Sequence, residues 1–189
     1  YWPSYDVVAQ AMGGVIGITG PDKNTPTKVG PGIGDIFSGL MMSFGIISAL
    51  RMAEKTSKGQ FIDLSMYDAV LSLCERIIYQ YDFDNSIPKP EGNGHPLLVP
   101  FGIYKSKDGH IALGIVDNSF WKILTNIIGN KELLDNRKYE TIESRQNNAK
   151  SLNSIIESWT RTKTNKELGC LLGGYVPFGP LNTAVEIFK

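Results

Sequence analysis

The chain has 189 residues, 42% of them hydrophobic and 20% charged, a composition typical of a globular protein large enough to bury a core without disulfides or metal. Lys plus Arg and Asp plus Glu number 19 each, so the net charge is zero. That balance argues against a nucleic-acid binder, which carries a basic excess, and there are no polybasic runs or acidic tails.

In chain order, Ser4 is a plausible N-cap for a largely apolar helix over residues 5–18, weakened in its second half by Gly13, Gly14 and Gly17. Residues 20–31 are rich in Gly, Pro and Thr and read as a loop. Asp35 then opens a long helix running from Ile36 to about Lys55, expected to be buried. Its longest apolar run, residues 36–50, holds Ser38, Gly39, Ser43, Gly45 and Ser48. It is too short and too rich in small residues to read as a membrane span. A turn at Lys58-Gly59-Gln60 leads into a short strand over residues 61–66 and a helix over residues 67–81.

Residues 82–100 hold four prolines, two glycines and two asparagines, and form the best candidate linker. Beyond it, two β-rich runs flank Asp108-Gly109, the strongest hairpin signal in the chain. Helices follow over residues 119–128, 141–159 and 165–172, the last capped by Thr164. A short strand over residues 175–178 precedes a terminal helix starting at Asn182 or Thr183. The chain opens at Tyr1-Trp2-Pro3 without methionine and closes inside a helix start, so it reads as a piece of a longer protein.

Cys74 and Cys170, far apart among apolar residues, read as buried free thiols in a reducing compartment. Neither they nor His95 and His110 show metal-ligand spacing, and no nucleophile-elbow pattern accompanies the histidines. Asp35 is the most informative residue. It stands between Gly30-Pro31-Gly32-Ile33-Gly34 and a helix. Donors at a helix N-terminus favour a charged carboxylate, the form a nucleophile needs, and glycines let a substrate approach the backbone. The competing reading is a plain N-cap. Gly92 and Gly94, in Gly92-Asn93-Gly94-His95-Pro96, suit either a mobile loop over an active site or a linker. Gln10 serves a ligand or ties its helix to a neighbouring loop. Asp68 pairs with Arg51 or Lys55, or with backbone. Residues 30–34 lack the Lys-Ser/Thr of a P-loop.

Five segments in this order resemble the family III CoA-transferases of CaiB/BaiF type, the group of formyl-CoA transferase and the carnitine CoA-transferases. They are residues 4–14 (SYDVVAQAMGG), Gly34-Asp35 with Gly39 and a small-residue helix, and residues 58–69 (KGQFIDLSMYDA). Residues 92–96 with 100–104 and 108–109, and residues 176–183 (VPFGPLNT), complete the set. The resemblance covers nearly the whole chain. It implies an α/β fold, of which this chain holds the helical part of the large domain plus a small α+β domain. Residues 1–81 would belong to the large domain, 82–100 to a linker and glycine loop, 101–180 to the small domain, and 181–189 to the return. The Rossmann-like half with most CoA contacts would lie upstream.

The resemblance also implies the chemistry: transfer of coenzyme A between an acyl-CoA and a carboxylic acid, with Asp35 as nucleophile forming a covalent aspartyl intermediate. Gly92 and Gly94 would belong to the loop covering the intermediates, with His95 where some members carry glycine or glutamine. Gln10 and Met66 would line the CoA pocket. CoA would be a substrate, with no permanently bound cofactor and no metal. The implied setting is a cytoplasmic, interlocked homodimer with no nucleic-acid or membrane partner. Two alternatives remain at this level. One is an α-methylacyl-CoA racemase, with Asp35 as acid/base and its histidine partner upstream. The other is a non-catalytic fragment.

Overall fold

The computed structural model describes residues 3–130, 133 and 135–188. It resolves into two compact units, one ending at Gly92 and the other beginning at Asn93. The division falls inside the stretch read as linker. In the same stretch, the helix preceding Gly92 runs on to Asp84.

In the first unit, α1 (Asp6–Met12) is shorter than the helix expected over residues 5–18. Gly14 adopts φ +93° and ends it, and a single 3-10 turn follows over Val15–Ile18. The N-cap is Tyr5, with no side-chain cap, so Ser4 does not play that part. Gly13 has a packing reason: a Cβ there would stand 2.6 Å from Val70 Cγ1. α2 (Ile33–Thr56) begins three residues earlier than expected, and Ser57 in the left-handed region closes it. No strand forms over residues 61–66. Residues 61–65 carry no regular secondary structure and have no ladder partner among the described residues, Met66 already belongs to the next helix, and Phe61 is exposed. The single helix expected over residues 67–81 is two helices, α3 (Met66–Ser72) and α4 (Glu75–Asp84), broken at Leu73-Cys74. Ser65 caps α3 by accepting from the Asp68 N–H at 3.3 Å. Among the described residues Asp68 has no ion pair, and Arg51 pairs with Glu54 instead.

The helices α1, α2 and α3 pack on one another around a thin core of Ala9, Ala49, Ala69, Val70 and Cys74. α2 is therefore not buried as expected: Ile36, Phe44, Ile47 and Leu50 are each more than half exposed. With 24 residues apolar on every side, α2 is long and apolar enough to cross a membrane by length and composition alone. A helix apolar all round needs cover from other protein or from lipid.

The second unit carries a three-stranded antiparallel sheet of order β1-β2-β3: β1 (Phe101–Lys105), β2 (His110–Gly114) and β3 (Phe178–Pro180). Lys105 pairs with His110 across the Asp108-Gly109 turn, as the hairpin signal predicts, and Ile111 pairs with Pro180. β3 lies later than the strand expected over residues 175–178, because Leu113 takes Phe178 as its partner. One sheet face, with Tyr104, Ile111 and Leu113, joins a continuous core with Trp121 and Leu124 of α5 (Asn118–Ile128).

The helix expected over residues 141–159 breaks at Asn148 into α6 (Ile142–Asn147) and α7 (Ala149–Thr160). Leu152 and Ile156 of α7 enter the core. Thr164 caps α8 (Asn165–Leu172) through a reciprocal bond with Glu167, and Leu168 and Leu172 complete the core. Cys170 faces the other side of α8 and is exposed, whereas Cys74 is buried; both are free. Thr183 caps the short α9 (Ala184–Ile187).

Candidate functional site

Asp35 lies in the first turn of α2 but does not cap it. The N-cap is Gly32, and no side-chain cap bond is made there. Among the described residues the Asp35 carboxylate has no hydrogen-bond or ion-pair partner, and the residue is exposed. The plain N-cap reading thus gives way to an uncommitted carboxylate.

The capping is done from outside the helix. Asp6 Oδ1 accepts from the Gly34 N–H at 2.9 Å, satisfying a free donor of α2's first turn. Gln10 Nε2 donates to both Asp6 oxygens at 3.0 and 2.9 Å. The same nitrogen reaches the carbonyls of Val29 and Pro31 at 3.5 and 3.4 Å, while Gln10 Oε1 accepts from the Val29 N–H at 3.0 Å. Lys28 Nζ donates to the carbonyls of Val29 and Gly30 at 2.9 and 3.2 Å. The Asp6 and Gln10 bonds tie the glycine-rich turn to α1, and the Lys28 bonds brace the turn locally. Gly34 leaves no slack, because a Cβ there would stand 3.0 Å from the Asp6 carbonyl and 3.1 Å from Ala9 Cβ.

Gln10 is 0% exposed and its amide is engaged on both ends. In this chain it ties helix to loop, the second of the two readings its sequence allows. The Gln10 amide is the main cause holding the Asp6 carboxyl below its ordinary value. Burial opposes it as the next-largest effect, and the Gly34 N–H and the charge of Lys28 add smaller lowering contributions.

Asp6 is the residue the sequence reading missed. Its signal was present: Asp6 and Gln10 stand at i and i+4 on one helix face, where an amide and a carboxylate meet.

Met66 lies at the first position of α3 and borders an open cleft of about 600 Å³, with Ala9, Met12, Asp63, Leu64 and Tyr67 also on its wall. Asp35 and Gln10 do not line that cleft. Gly92 adopts φ +60°, which favours glycine, and its N–H donates to the Gly20 carbonyl at 3.0 Å. Gly94 lies in the second unit and is exposed. Among the described residues no three His, Cys, Asp or Glu side chains gather where a metal ion could be held.

The family model for CoA-transferase family III matches residues 1–189. The chain belongs to CoA-transferase family III. It is 40% identical over 186 residues to the succinyl-CoA:mesaconate CoA-transferase of Haloarcula hispanica, covering 98% of this chain and 46% of that protein. To the human succinyl-CoA:glutarate CoA-transferase it is 34% identical, covering 97% of this chain and 42% of that protein. Among solved structures, a CaiB/BaiF family protein from Brucella suis superposes with TM-score 0.81 at 31% identity. That match covers 98% of this chain and 49% of the other. The family III chain thus spans about half the length of the relatives it matches, and its mixed helical and small-sheet architecture is that of a CaiB/BaiF fold part.

Proposed function

We propose that the whole protein transfers coenzyme A between an acyl-CoA and a carboxylic acid through Asp35. The observation that carries this reading is the uncommitted Asp35 carboxylate, on a helix start that Asp6 and Gln10 hold from outside. Because Asp6 occupies the Gly34 N–H, Asp35 is spared the capping role that would tie up its oxygens. An exposed, unpaired carboxylate on a rigid helix is what covalent catalysis requires.

The steps balance without a proton. An Asp35 oxygen attacks the thioester carbonyl, the C–S bond breaks, and CoA leaves as thiolate from a mixed anhydride. The thiolate then attacks the aspartyl carbonyl and releases the donor acid, leaving Asp35 as a CoA thioester. The acceptor carboxylate attacks that thioester, forming a second anhydride and freeing the thiolate again. Thiolate attack on the acceptor's acyl carbon yields the new acyl-CoA and restores Asp35. Each exchange replaces one difficult displacement by easier ones.

Relatives named for succinyl-CoA, mesaconate and glutarate make a succinyl-CoA donor and a short dicarboxylic acceptor the first substrates to try. On this reading the exposed surface of α2 is covered in the whole protein by the remaining half and by a second, interlocked copy. Gly92 and Gly94 belong to the loop that shields the intermediates, and Met66 lies on the CoA side of the site. The two free thiols agree with a cytoplasmic setting.

The test is to incubate the whole protein with succinyl-CoA and hydroxylamine and read Asp35 by mass spectrometry. A hydroxamate or CoA adduct on Asp35 is expected. An unmodified Asp35, with deuterium entering the α-carbon of a branched acyl-CoA, would replace the transferase by a racemase.

A further inference from the structure

Residues 93–100 form neither helix nor strand, and their Gly/Pro content suggests a loose segment. Their backbone is nevertheless tied at several points within the second unit. The Asn93 carbonyl accepts from the Ile103 N–H of β1 at 3.0 Å. Gly102 makes this approach possible, since a Cβ there would overlap the Asn93 carbonyl. His95 Nδ1 accepts the N–H groups of Leu97 and Leu98, both at 3.1 Å, and its ring lies 4.9 Å from that of Phe101. Gln146 Nε2 donates to the Pro96 carbonyl at 2.6 Å. Arg145 Nε donates to the Val99 carbonyl at 3.2 Å.

The last two ties come from consecutive residues of α6. Arg145 is 1% exposed. Its other donors reach the carbonyls of Tyr139 and Glu140 at 3.1 and 3.3 Å and Asn118 Oδ1 at 2.9 Å. Its guanidinium lies 5.0 Å from the Trp121 ring. Among the described residues no carboxylate forms a direct ion pair with it, although the charge of Asp117 acts on it and favours its charged form against the opposing effect of burial. A guanidinium buried with neutral oxygens as its hydrogen-bond partners, and only a more distant carboxylate, gains little net stability over an apolar side chain. What it provides is a rigid fork that fixes where several backbone segments sit. Gln146 is similarly one-sided: its Oε1 is buried without a hydrogen-bond partner among the described residues, so the amide N–H carries its polar role there.

We infer that Arg145 and Gln146 are positioning residues for the glycine loop, holding Pro96–Val99, and through it Gly94 and His95, in one shape against the second unit. This rests on the reading above, in which the loop keeps water from the acyl–Asp35 anhydride. Water adding to that anhydride breaks its C–O bond, releases the donor acid and returns Asp35 unproductively, so a loosened loop converts transfer into hydrolysis.

The test is Gln146→Met in the whole protein, a change of similar volume that removes the donor. Hydrogen exchange at the Leu97 and Leu98 amides should accelerate about fivefold, the size of one neutral hydrogen bond. Acyl-CoA hydrolysis relative to CoA transfer should rise by about the same factor, and Tm should change little, because loss of the Nε2–Pro96 bond is offset by removal of a buried Oε1 that has no partner among the described residues. Unchanged exchange at Leu97 and Leu98 overturns the tie, whatever the enzyme does. Faster exchange with an unchanged hydrolysis-to-transfer ratio overturns the positioning role. No labelling of Asp35 in the unsubstituted protein overturns the underlying reading, and the loop's role with it. Arg145→Lys, which keeps the charge and loses the fork, should act in the same direction and also lower Tm.

Discussion

Replacing Gly34 by alanine tests the held helix start most directly. The new Cβ would lie 3.0 Å from the Asp6 carbonyl and 3.1 Å from both Ala9 Cβ and Asp6 Oδ1. Backbone and a helix-borne methyl cannot retreat as a flexible side-chain tip can, so α2's first turn must shift by a few tenths of an ångström. Overpacking of this kind costs about 1–3 kcal/mol. Alanine in place of glycine inside a helix returns about 1 kcal/mol. The net change in stability is then about 0–2 kcal/mol, a small effect on Tm. Catalysis should suffer more, because the shift stretches the Asp6–Gly34 bond and displaces the Asp35 carboxylate beside it. Misplacement by about 1 Å costs roughly a hundredfold, so a shift of a few tenths should lower kcat by about fourfold. The assay is steady-state CoA transfer by the whole protein, with denaturant unfolding beside it. A Gly34→Ala protein with unchanged kcat would refute the claim that the Asp6–Gly34 contact orients Asp35.

Asp35→Ala should abolish transfer while leaving Tm within about two degrees, since an exposed residue with no partner contributes little to stability; thermal unfolding and product assay check both halves. The Asp6 carboxyl is held below its ordinary value by Gln10, with the Gly34 N–H and Lys28 contributing. A depressed carboxylate contributes stability that is full above its unfolded pKa and is lost as pH falls through the lower folded value. Exchange at the Gly34 amide should therefore be insensitive to Asp6 titration at neutral pH and speed up only below the ordinary carboxylate range. Asp6→Asn should remove that acid limb. Leu152→Ala, in the fully buried core of the second unit, should cost about 2–5 kcal/mol in chemical denaturation.

Local signals carried much of the architecture. The hairpin at Asp108-Gly109, the Thr164 cap, the loop before α2 and the apolar faces of α5, α7 and α8 were all legible, because each depends on a few neighbouring residues. Helix breaks were not. Residues at Leu73-Cys74 and Asn148 have no Gly or Pro to announce a stop, and packing decides where those helices end. The strand expected over residues 61–66 had the right residues but no partner among the described residues to pair with, and a strand exists only as part of a sheet. Cys170 was read as buried because its neighbours in sequence are apolar, but on a helix the neighbours that matter are three and four residues away.

By itself the sequence determined the family, through five motifs in order, and singled out Asp35, because glycine content and helix position are written locally. Only the tertiary structure showed that the Asp35 carboxylate is left without a partner among the described residues. Asp6 takes the Gly34 N–H across 28 positions of sequence, and Gln10 holds the turn across 19 and 21. No local pattern encodes who satisfies a helix end from a distance; that is settled when α1 and α2 pack and each donor must find its acceptor.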